Sequence, residues 1–155
     1  GVQLWRLINP NAGTGTITVT FSDASVYAVG GAVSFINVNQ TTPLGTVAGA
    51  GPTTSNAPSV AVVSAIDDLV ISAAGADNDG TYTPGGGQDE RWDLQVATAT
   101  CGTGSTEPGA ATVTMDYTLS ASREWVTQGV SVKAVVVAGP SPTISASPLV
   151  GNLRW

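Results

Sequence analysis

Thr16-Ile17-Thr18-Val19-Thr20-Phe21-Ser22 alternates without a break, with apolar residues at 17, 19 and 21 and hydroxyls between them. Successive side chains of a strand point to opposite faces, so this pattern predicts a half-buried strand. Residues Ala111 to Ser120 repeat the device, with Val113, Met115, Tyr117 and Leu119 inward and Thr112, Thr114, Asp116 and Thr118 outward. Further strands are read at Val2–Leu7, Val26–Val38, Ser59–Ser64, Leu69–Ala74, Glu90–Thr98 and Glu124–Val137. Turn-forming clusters separate them, among them Asn9-Pro10-Asn11, Thr42-Pro43-Leu44-Gly45, Asp67-Asp68, Pro84-Gly85-Gly86-Gly87 and Glu107-Pro108-Gly109. Few stretches of a dozen residues escape glycine, proline or a β-branched run, so helix is not expected. Eight strands with short connections predict an all-β protein, an antiparallel β-sandwich of jelly-roll type. Gly30 and Gly31 interrupt the side-chain rows of Val26–Val38 and predict a bulge or bend where that strand changes sheet.

The texture changes after residue 137. Gly139-Pro140-Ser141-Pro142 reads as a stiff linker, and Thr143–Trp155 follows it. Ile144, Leu149, Val150, Leu153 and Trp155 carry more apolar surface than a solvated tail needs. Residues 1–137 are therefore expected to form the sandwich, and 138–155 a proline-containing linker with a C-terminal extension strand that docks on its own domain or on a neighbour.

Composition narrows the function. Charged residues are 10% of the chain, against about 25% in an ordinary soluble domain. Their place is taken by 19 Gly, 20 Thr and 14 Ser, a hydroxyl-rich, secreted-looking surface. The chain has no histidine, which removes Ser-His-Asp and Cys-His nucleophiles and His-ligated metals. A net charge of −6 with only five basic residues opposes binding to a phosphate backbone. No apolar run approaches the ~18 residues of a membrane-spanning helix. No basic region followed by an apolar stretch opens the chain at Gly1, so a signal peptide is expected to have been removed or to lie outside it. Cys101, the single cysteine, excludes an intrachain disulfide, and its setting Thr100-Cys101-Gly102-Thr103-Gly104-Ser105 reads as a flexible polar loop.

Few residues suggest chemistry. Asp77 and Asp79, followed by Gly80, have the spacing of a partial calcium loop, with Asp89, Glu90 and Asp93 behind them. Gln88 stands where the closing glutamate of the full motif belongs, so a solvated acidic loop is the competing reading. Calcium is the one cofactor this pattern suggests, and the rest of the sequence implies none. Tyr82 and Trp92 beside the triple glycine have the makings of a sugar platform, since aromatic faces with nearby carboxylates suit stacking and hydroxyl hydrogen bonds. Trp92 falls in a predicted strand, where core packing is the ordinary role. Glu90 and Glu124 are the available acid and base for a glycosidase, but sequence does not place them at the required separation, and no catalytic residue is assigned. Asp67-Asp68 reads as a turn closing a hairpin, and Asn39-Gln40-Thr41 is a glycosylation sequon.

Three segments together resemble a lectin-like (concanavalin-A-like) jelly-roll domain of secreted bacterial surface proteins. They are Leu4-Trp5-Arg6-Leu7-Ile8-Asn9-Pro10-Asn11-Ala12-Gly13 with Ile17–Phe21; Gly31–Phe35 with Val38-Asn39-Gln40-Thr41-Thr42-Pro43-Leu44-Gly45; and Gln88–Trp92 through Ser105–Ala110 to Thr114–Ser120. The resemblance implies a structural or adhesive module and carries over no catalytic residue. It also implies strands ahead of Val2–Leu7, so a sandwich starting at Gly1 is expected to expose unpaired edges that the tail fills. The resulting expectation is an extracellular or cell-surface subunit that polymerises head to tail with its own copies by strand complementation, without a membrane span or a nucleic-acid partner. A carbohydrate-binding adhesion module is the alternative.

Overall fold

The structure, a computed structural model, describes residues 1–13, 15–23, 27–136, 139 and 142–148. Its described residues contain no helix and form ten strands: β1 (Val33–Ile36), β2 (Ala48–Ser55), β3 (Ser59–Val63), β4 (Leu69–Asp77), β5 (Tyr82–Pro84), β6 (Asp89–Val96), β7 (Thr100–Pro108), β8 (Thr112–Leu119), β9 (Arg123–Val132) and β10 (Ser145–Pro148). The order β2-β9-β4-β7-β6 makes a five-stranded sheet, β3-β8-β5 a three-stranded one and β1-β10 a two-stranded one. All of the strand pairs are antiparallel. The protein is an all-β sandwich of antiparallel sheets, compatible with a jelly-roll-like arrangement.

β8 follows its sequence closely. Val113, Met115, Tyr117 and Leu119 are buried and the residues between them exposed. They pack against the five-stranded sheet in two clusters, one with Val60, Val62 and Val70 and one with Tyr82, Cys101 and Trp125. A third cluster lies on the other face of the five-stranded sheet, as the alternation of Leu69 and Ile71 with Val70 requires. There Val132, Ala134 and Ile144 pack with Phe35, Val38, Leu44, Leu69 and Ile71. The central sheet is thus covered on both faces.

That double burial explains what the sequence concealed. Cys101 to Ser105, expected as a flexible loop, is the middle of β7 and is wholly buried. A strand covered on both sides needs small side chains, and here they make room for Trp92. A Cβ added to Gly104 would stand 2.3 Å from Trp92 Nε1, and one on Gly31 would stand 2.1 Å from Trp92 Cδ1. Gly31 is therefore the lid over an indole, with β1 beginning two residues later. The buried hydroxyls of β7 find partners: Thr103 Oγ1 donates to Trp92 O at 2.9 Å, and Ser105 Oγ donates to Gln88 Oε1 at 2.6 Å. With its single proton given to Gln88, Ser105 accepts from the Tyr117 hydroxyl at 2.7 Å, and Ser72 in turn donates to Tyr117 at 2.5 Å.

Two expected strands are missing. Val2–Leu7 and Thr16–Ser22 lie in no sheet, and of Val26–Val38 only Val33–Ile36 is a strand, Val26 itself lying outside the described residues. Alternation specifies which face a strand would bury, but a strand exists only where a neighbour completes its ladder.

Candidate functional site

Tyr82 and Trp92 do not meet on the surface. Tyr82 is 3% exposed, its ring edge-on to Tyr117 with centroids 5.8 Å apart, inside the core between the two larger sheets. Its hydroxyl has no hydrogen-bond partner among the described residues, and burial, with the Cys101 thiol beside it, pushes the phenol well above its ordinary range. Burial likewise pushes up the Cys101 thiol, which disfavours the nucleophilic thiolate. Trp92 pairs with Gly104, three residues from Cys101 along β7 and therefore on the opposite face of the sheet. The two rings are separated by a layer of backbone and form no common platform.

Asp77 and Asp79 tie a loop to a strand, and Asp89 and Asp93 are engaged on β6. Asp77 Oδ1 accepts the Glu124 amide at 3.0 Å, and Asp79 Oδ1 meets Arg123 Nη2 at 3.4 Å, so the turn after β4 is fastened to the start of β9. Asp89 pairs with Arg91 at 3.3 Å, and Asp93 Oδ2 accepts the Tyr82 amide at 3.1 Å. Among the described residues no group of three or more Asp, Glu, Cys or His is placed to hold a metal ion. Asp67-Asp68 closes no hairpin, because β3 and β4 belong to different sheets. Asp68 instead holds the corner: Oδ2 accepts Ala65 N at 3.2 Å and Ser131 Oγ at 2.6 Å, and Oδ1 accepts Ala134 N at 3.3 Å. Asn39 of the sequon uses Oδ1 to accept the amides of Thr41 and Thr42, both at 2.9 Å.

Glu90 and Glu124 stand on β6 and β9, with β4 and β7 between them. At about 4.8 Å per strand they are roughly 14 Å apart across the sheet alone, beyond the ~9.5 Å upper limit for an acid and base pair. Open clefts of about 480 and 550 Å³ flank the turn at Ile66-Asp67. The first is bordered by Asp67, Asp89, Arg91 and Thr143, the second mainly by apolar side chains such as Val135 and Val136.

The tail and the N-terminal segment differ in their state. β10 pairs with β1 of its own chain in the register Val33 to Pro148 and Ile36 to Ser145. Ile144 is buried in the third cluster, and Asn37 Nδ2 donates to Thr143 O at 2.8 Å. Leu149, Val150, Leu153 and Trp155 lie outside the described residues. By contrast, Trp5 is 84% exposed, Leu7 79%, Ile17 48% and Val19 39%, with Phe21 and Tyr27 also exposed. The signal missed in the sequence was the mismatch between a strand-like pattern and the supply of partners for it.

Comparison with protein families, with characterised proteins and with solved structures found no match for this chain. No helix among the described residues is long and apolar enough to cross a membrane.

Proposed function

We propose that this chain is a structural module of the cell exterior that assembles with its own copies, head to tail, by strand complementation. The observation that carries the reading is the exposed N-terminal segment: Thr16–Ser22 has the pattern of a half-buried strand, belongs to no sheet, and exposes Ile17 and Val19. Covering these apolar side chains with a partner removes them from water, which is favourable. The tail supports the reading differently than its sequence suggested, since Ser145–Pro148 already complements β1 of its own chain and leaves the N-terminal segment as the strand without a sheet. The scarcity of charge and the hydroxyl-rich composition suit a secreted, lectin-like jelly-roll module, and the reading assigns it no catalytic residue and no bound metal.

Sedimentation velocity of the full chain across a concentration series, with negative-stain electron microscopy of the same samples, tests this. The expected result is a ladder of species growing with concentration and visible as short filaments. One monomeric species throughout would overturn the proposal.

A further inference from the structure

The two larger sheets have four outer edges, and three carry features that discourage pairing with another chain. β2 contains Pro52 and a register break between Ala50 and Thr53. β6 carries Asp89, Glu90, Arg91 and Asp93, with a break between Glu90 and Trp92. β5 is three residues long and ends in Pro84. Proline, charge, bulges and shortness are the usual protections of an edge. β3, Ser59-Val60-Ala61-Val62-Val63, has no charge, proline or bulge, and no charged residue occurs from Asn56 to Ile66.

The direction of its backbone groups follows from the ladder. Tyr117 N donates to Pro58 O, Leu119 N to Asn56 O and Ser64 N to Ala111 O, so the even-numbered residues of β3 make the bonds to β8. In an antiparallel pair the intervening residues turn their N–H and C=O groups the other way. Ser59, Ala61 and Val63 therefore present theirs to the open edge, where no described residue pairs with them. Beside them Val63 is 70% exposed.

We infer that this edge of β3 is the acceptor, and that it takes the segment Thr16–Ser22 of a second copy as an added strand. The inference rests on the self-assembly reading and names its two halves. Seven alternating residues span a five-residue edge. Both partners are uncharged, so no ion is stripped of water when they meet. In the added strand Ile17 and Val19 continue the row of Val60 and Val62 towards the core, and the threonines face solvent. One contact covers both the open edge and the exposed alternation, which a pairing of β3 with β3 does not. Donor and acceptor are different surfaces, so the contact propagates and does not close.

Two variants separate the halves. Ala61→Pro removes an N–H that points to the open edge and leaves the bonds to β8 intact; Val19→Asp spoils the donor, which belongs to no sheet. Each alone is expected to sediment as a monomer with the circular dichroism of the parent, and a 1:1 mixture is expected to give a heterodimer and nothing larger, because one good donor and one good acceptor remain. If Ala61→Pro does not fold, Ala61→Lys takes its place in the mixture. A parent chain that never assembles removes the self-assembly reading and this one with it. A parent that polymerises together with both variants overturns only the assignment of donor and acceptor. Dimers formed by Val19→Asp alone overturn it in favour of β3 pairing with β3.

Discussion

Asp93 lies on β6 with its Oδ2 accepting the amide of Tyr82 at 3.1 Å. Desolvation outweighs that hydrogen bond, and with Glu90 nearby it holds the Asp93 carboxyl above its ordinary value. A carboxyl raised in the folded state favours folding when protonated, and that contribution is lost as pH rises through its folded pKa. At neutral pH the ion is therefore a cost. Asp93→Asn keeps an acceptor for Tyr82 and removes the charge, so the variant is expected to melt above the parent near neutrality. The difference should shrink as pH falls through the carboxylate range, where the parent becomes neutral too. Thermal denaturation of both chains across that range measures it; an Asn variant less stable at neutral pH would show that the ionised carboxylate is needed there.

Strand β7 shows how far a sequence discloses an element. β8 was legible because one face meets the core and the other meets water, and the residues alternate accordingly. β3 was legible for the same reason, and β4, β6 and β9 through their runs of valine, leucine, isoleucine and tryptophan, although β4 is covered on both faces. β7 and β2 have neither feature: Thr100-Cys101-Gly102-Thr103-Gly104-Ser105 shows a polar, glycine-rich run because its apolar covering, Trp92 and Val29, comes from elsewhere in the chain. Glycines that make room for a ring look the same in sequence as glycines that make a turn. Tyr82 and Trp92 were legible as aromatic residues but not as residents of opposite faces, which only the register of β6 on β7 decides. Thr16–Ser22 was legible as strand-like, and its lack of a sheet was not, since pairing is a property of two segments. The seat of Trp92 gives a direct test. Gly104→Ala forces a methyl into the indole and is expected to destabilise the fold by about 1–3 kcal/mol, the usual range for overpacking. Gly86→Ala, where nothing lies within 4 Å, serves as the neutral comparison. Urea denaturation followed by tryptophan emission reads both, and equal midpoints would remove Trp92 from its assigned place.

At the scale of the whole molecule, low charge changes the physics of association. With 16 ionisable Asp, Glu, Lys and Arg side chains in 155 residues, and none in either Thr16–Ser22 or Ser59–Val63, contact between copies draws on apolar burial and backbone hydrogen bonds. The net charge of −6 opposes contact between copies over longer range. Salt shortens that repulsion, with a screening length of about 10 Å at 0.1 M and about 3 Å at 1 M, and leaves the uncharged contact untouched. Assembly held by ion pairs between subunits would weaken over the same range. The proposed contact therefore has a definite sign: raising sodium chloride from 0.05 to 1 M, roughly the span over which screening becomes complete, is expected to leave polymerisation intact or increase it. Sedimentation at fixed protein concentration across that series decides the matter. Dissociation with rising salt would mean that the few charges, among them Arg6 and Asp23 flanking the N-terminal segment, hold the subunits together in place of the β3 edge.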